Sequence, residues 1–139
     1  MMYKMISLLA ILGVTVSLSA CTSSASTGSA VTGTVTYLQR IALPADAVLT
    51  VRIEDVSRAD APADVMGEQV IETKGAQVPI AFSVAYDADK IEDNHTYSLR
   101  VRIEDGSGKL LFINDTSVPV ITQGNPVQDI EVVVVPAGG

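Results

Sequence analysis

Apolar side chains recur at every second position along most of this chain. Val31, Gly33, Val35 and Tyr37 share one face of a strand, and Thr32, Thr34 and Thr36 take the other. Leu49, Val51 and Ile53 alternate with Thr50, Arg52 and Glu54; Ile80, Phe82, Val84 and Tyr86 alternate with Ala81, Ser83 and Ala85. Leu99, Val101 and Ile103 alternate with Arg100, Arg102 and Glu104. A period of two with one dry and one wet face predicts antiparallel strands on a half-buried sheet. No segment carries the 3.6-residue period of an amphipathic helix.

Turn signals separate these runs. Leu43-Pro44-Ala45-Asp46 follows the first, Asp105-Gly106-Ser107-Gly108 forms a tight hairpin, and Gly124-Asn125-Pro126 precedes the last. Further strands are expected over 65–73, 110–114 and 118–122. The final one, 130–135, carries four consecutive valines, Val132 to Val135. Such a run is expected to be covered on both faces, or to lie at an edge and pair with a partner. The pattern predicts an all-β domain, an immunoglobulin-like two-sheet antiparallel β-sandwich of seven or eight short strands. A closed barrel is the alternative. Leu99, Val101, Ile103, Ile80 and Phe82 are expected in its core.

The first twenty residues break the alternation. Lys4 precedes an apolar run over 6–16, and small residues lead to Cys21. That is the charged start, apolar middle and small-residue cleavage region of an export signal. The run is shorter than the roughly 20 residues a membrane span needs. Leu18-Ser19-Ala20-Cys21 resembles the bacterial lipobox, and Cys21 is the chain's one cysteine, so it has no internal disulfide partner. The expected organisation is a signal peptide over 1–20, a lipidated Cys21 with a flexible tether over 21–29, and the sandwich over 30–139. Thr22 stands where an aspartate would resemble the inner-membrane retention signal. The expected location is therefore the periplasmic face of the outer membrane, held by the lipid anchor.

Charge narrows the partners. The chain carries 16 acidic and 9 basic side chains, a formal net charge of −7. Nucleic acid binding is excluded by this balance and by the absence of any basic run. Candidate chemistry is sparse. The single histidine, His95, has no G-x-S-x-G nucleophile to activate, and Ser107 reads as a turn residue. Tyr97 reads as an anchor closing a loop onto its strand, as in a tyrosine corner. No Cys/His pair suits zinc. Asp87, Asp89, Glu92 and Asp93 crowd one loop that offers oxygen ligands to a divalent cation, but they lack the EF-hand spacing. A solvated acidic loop is the simpler account. Neither a catalytic centre nor a cofactor is expected. One repeat stands out: residues 49–55 read LTVRIED and residues 99–105 read LRVRIED. Cross-strand ion pairs on a wet face account for it more simply than a binding stripe.

Several blocks carry a resemblance. They are VTGTVTY at 31–37, IALP at 41–44 with DAVL at 46–49, DVS at 55–57 with ADAP at 59–62, QVPI at 77–80, and the stretch 97–112. In this order they resemble the YbaY family of lipoproteins, which shares its domain with the YscW-like lipoprotein chaperones of type III secretion. The resemblance implies a β-sandwich, outer-membrane lipidation and no enzymatic chemistry. YscW-like members act as pilotins that escort a secretin. The expected function is a non-enzymatic envelope interaction module, pilotin- or chaperone-like, binding an unidentified envelope protein. A lipoprotein binding a small ligand or divalent cation is the alternative.

Overall fold

The computed structural model describes residues 28–138; the expected signal peptide, Cys21 and most of the expected tether lie outside them. Nine strands make two sheets. In the smaller, β1 (Ser29–Thr36) lies between β4 (Ile80–Tyr86) and β8 (Ile130–Val133). In the larger, β3 (Asp64–Glu72), β2 (Val48–Asp55), β5 (Tyr97–Glu104), β6 (Leu110–Ile113) and β9 (Val135–Pro136) follow in order, and β7 (Pro119–Val120) pairs with the start of β5. The all-β sandwich is as the alternation implies. The inward faces carry Val31, Val35, Leu49, Val51, Ile53, Ile80, Phe82, Val84, Leu99, Val101 and Ile103, all buried. Tyr37 closes one end by stacking on Phe112, with ring centroids 4.3 Å apart.

The near-repeat is two adjacent strands. β2 and β5 pair antiparallel with Leu49 opposite Ile103, Val51 opposite Val101 and Ile53 opposite Leu99. The same register sets Arg52 directly opposite Arg100 on the wet face, a destabilising like-charge pair if left alone. Carboxylates relieve it. Arg52 pairs with Glu68 on β3, Arg100 Nε lies 3.7 Å from Glu54 Oε2 on β2, and Arg102 Nη2 lies 2.6 Å from Glu104 Oε1 on its own strand.

Three expectations are corrected. The sandwich is not wholly antiparallel, because β8 runs parallel to β1. Its chain comes from β7, which ends beside Tyr97 at the end of the sandwich where β1 begins, so it must run the same way as β1. Second, of the two arrangements expected for the valine run, cover on both faces fails along its length, and β8 lies at a sheet edge. Val132 and Val134 are buried, whereas Val133 is 37% exposed, and the run crosses from one sheet to the other between β8 and β9. That division makes nine strands out of eight expected ones. Third, the strand expected over 118–122 shrinks to two residues. Thr122 N–H donates to Val120 O at 2.9 Å across Ile121, whose φ is 74°. This is a γ-turn of the uncommon positive-φ kind, and it ends the strand.

β5 has no continuous neighbour beyond β2. β6 covers its far end and β7 its start, and the side chain of Asn114 fills the gap between them. Val101 N–H donates to Asn114 Oδ1 at 2.8 Å, and Asn114 Nδ2 donates to Leu99 O at 3.0 Å. A side-chain amide thus makes the two bonds that a strand's peptide group would make.

Candidate functional site

The loop between β4 and β5 carries the four acidic residues singled out in the sequence, and the fold puts them to separate uses. Asp87 Oδ1 accepts from Asp89 N–H at 3.0 Å and caps the 3₁₀ turn Ala88–Lys90. Asp89 and Asp93 stand exposed in solvent. Glu92 N–H donates to the Tyr97 hydroxyl at 2.9 Å, so Tyr97 does close this loop onto its strand. Glu92's own carboxylate turns to His95. Among the described residues, no group of three or more His, Cys, Asp or Glu side chains is gathered as a metal site.

His95 is instead held between two carboxylates. Its Nδ1 lies 2.6 Å from Asp55 Oδ2 and its Nε2 2.9 Å from Glu92 Oε2. Both ring nitrogens can donate together only in the protonated ring. The hydrogen bond to Asp55 raises the imidazole pKa, and the charges of Asp55 and Glu92 add to that. Partial desolvation and the Arg58 cation oppose them, and the net shift is upward. Burial would raise the Asp55 carboxyl, but bonds from the Ser57 hydroxyl, His95 and Ser57 N–H outweigh it and hold the group below its ordinary value. The contacts spread outward from there. Val56 N–H donates to Thr96 O at 2.9 Å, Thr96 N–H to Ser57 Oγ at 2.9 Å, and the Thr122 hydroxyl to His95 O at 2.6 Å.

Three loops that meet at one end of the sandwich are therefore clasped by a charged network. Beside it lies a cleft of about 210 Å³ lined by both signs of charge, with Arg58 and Lys90 facing Asp55, Asp64 and Glu92. The chemistry available is proton storage and loop cross-linking. A nucleophile would have to reach Nε2, which Glu92 occupies. Ser107 sits at the opposite end of β5, where its hydroxyl donates to Asp105 Oδ1 at 2.6 Å inside the hairpin turn.

That opposite end holds a feature the alternation did not single out. Leu38 is 80% and Ile41 59% exposed, on a loop that is braced at both sides. The Tyr37 hydroxyl donates to Ile41 O at 2.6 Å, and Leu43 N–H donates to Gln77 Oε1 at 2.7 Å. The available signal was two aliphatic residues in a segment outside any period-two run. An exposed aliphatic pair on a fixed backbone suits protein contact, because little ordering entropy remains to be lost. No helix among the described residues is long and apolar enough to cross a membrane.

Comparison with known proteins gives the chain a family. The family model of the type III secretion system lipoprotein chaperone (YscW) matches residues 26–132. The uncharacterized lipoprotein YbaY of Escherichia coli (strain K12) is 41% identical over 103 residues, which are 74% of this chain and 54% of that protein. The match thus spans about half the length of that relative. The structure of an alternative pilotin from the type II secretion system of Vibrio cholerae superposes with a TM-score of 0.74 at 46% identity. That likeness covers 79% of this chain and 97% of the pilotin.

Proposed function

The chain belongs to the type III secretion system lipoprotein chaperone (YscW) family, and on that premise we propose that it is a lipid-anchored escort for another envelope protein. In this reading Cys21 carries the lipid, the outer membrane is the site of attachment, and the sandwich stands on the periplasmic face. The protein binds its partner without catalysing a reaction on it. The observation that carries the reading is the likeness to a pilotin over nearly that protein's whole length at 46% identity. The site chemistry supports it, since His95 is occupied at both nitrogens and the exposed aliphatic residues sit on a braced loop. Nothing in the arrangement of Asp87, Asp89, Glu92 and Asp93 favours the cation-binding alternative.

Two measurements test this. In fractionated cells, Cys21→Ser is expected to leave the outer membrane and accumulate as precursor or in the soluble periplasm. Continued fractionation with the outer membrane would overturn the anchor. Quantitative proteomics of outer membranes from cells lacking the chain is expected to show loss of at least one envelope protein, restored by wild type and not by Cys21→Ser. An unchanged outer-membrane profile would overturn the escort role.

A further inference from the structure

The smaller sheet ends on β8, and its hydrogen-bonding edge is open. Val134 N–H donates to Thr36 O at 2.9 Å, continuing the parallel ladder between β8 and β1. In a parallel ladder, alternate residues bond the same neighbour. Ile130 and Val132 therefore face β1 with their peptide groups, while those of Glu131 and Val133 face away, where no other strand pairs with β8 among the described residues.

The chemistry along this edge is graded. At its start Asp129 and Glu131 stand exposed, and on the outer face of the sheet they line a shallow trough of about 440 Å³ with Thr32, Thr34 and Ala81, in which no basic side chain takes part. Neither carboxylate enters an ion pair among the described residues. At its finish Val133 is 37% exposed, opposite Thr36, and the chain beyond Thr36 runs through Tyr37 to Leu38, which is 80% exposed. The edge is thus acidic at one end and apolar at the other.

We propose that β8 is the docking edge for the partner, which adds an extended segment whose basic side chain meets Asp129 and Glu131 and whose apolar side chain packs on Val133 toward Leu38. Backbone pairing supplies the affinity of such strand addition, and the side chains on the added strand supply its selectivity. Charge complementarity selects the occupant, because an acidic chain of net charge −7 repels acidic segments. The proposal rests on the escort reading and names its contact surface.

The test uses the full-length lipoprotein in its own cells, with a photo-crosslinking side chain at Val133 and, as control, at Val70 on β3. Glu131→Pro removes one outward N–H and one charge without touching the ladder to β1, since an outward-facing N–H is where a sheet edge tolerates proline. Glu131→Lys reverses the charge alone. The expected result is one adduct from Val133 and none from Val70, with its cross-linked peptide alternating basic and apolar residues. Its yield should fall about tenfold in Glu131→Pro and in Glu131→Lys, with melting temperatures unchanged. Undiminished yield in either variant overturns the proposal. So does an adduct to lipid, to a second copy of this chain, or equally from Val70. Should Glu131→Pro lower the melting temperature, the yield in Glu131→Lys decides alone, because that side chain points into solvent and leaves the backbone intact. Should the adduct behave as expected while no envelope protein leaves the outer membrane in cells lacking the chain, the edge stands and the escort role falls.

Discussion

Asn114 and His95 each do with one side chain what a longer stretch of backbone would otherwise do. Asn114→Ala would leave Leu99 O and Val101 N–H buried without partners, at about 1–3 kcal/mol for each group. A loss of roughly 2–6 kcal/mol in urea unfolding is therefore expected, and a loss below about 1 kcal/mol would show that β5 does not depend on this amide. His95 ties stability to pH. Its pKa is raised above the ordinary 6.5, so its contribution is complete below that value and is lost as pH rises through the raised one. The Asp55 pKa lies below the ordinary 3.8, so its contribution is complete above that value and is lost as pH falls through the lowered one. The clasp is strongest between these limits. The melting-temperature gap between wild type and His95→Gln should be widest near pH 5 to 6 and close at alkaline pH; a gap constant with pH would contradict the protonated clasp. Little of this was legible in the sequence. Tyr97 could be placed as an anchor because tyrosines beside loops recur in sandwiches, but Asp55 and His95 lie 40 residues apart and meet only in the folded chain.

Alternation carried the strands well, since a period of two is a direct readout of one buried face. It carried the connections between strands poorly. Nothing in Ile130 to Val135 distinguishes a strand that stays in one sheet from one that changes sheets, and the parallel run of β8 follows from where β7 ends. Gly33 marks that pairing in hindsight. A Cβ built there would lie 1.9 Å from the Ile130 carbonyl oxygen, so β1 and β8 approach as closely as they do only because the side chain is missing. Gly33→Ala should push β8 off β1 and cost about 1–3 kcal/mol or more as an overpacked contact. Amide exchange should rise at Val132 and Val134 while Leu49 and Val101 stay protected. Uniform loss of protection would indicate that the two sheets unfold as one. The repeat is informative at this scale too. Residues 55–57 and 105–107 each place an aspartate whose Oδ1 accepts from a serine N–H and hydroxyl two residues on. Both copies therefore end in the same turn, at opposite ends of the paired strands.

For the molecule as a whole, the core lies between two sheets that begin at Ser29 and end at Pro136. A fragment of residues 28–138 is expected to be monomeric and β-rich, with a cooperative melt within a few degrees of the full-length protein's; a helical or non-cooperative spectrum would contradict this. The two ends of the sandwich differ. β1 begins beside Tyr86, at the end that holds the acidic loop and the His95 clasp, while Leu38 and Val133 lie at the other. The parallel pairing of β1 with β8 has a mechanical side. In the proposed escort, a chain tethered through Cys21 would be loaded along the axis of β1, toward the membrane. A cargo hung on β8 pulls the opposite way, so the two strands are sheared past each other and the rungs between them carry the force together. A load across the strands would instead peel the rungs apart one at a time. The arrangement makes the small sheet a coupling that holds under tension, which the proposed escort would need while its cargo is drawn toward a bilayer.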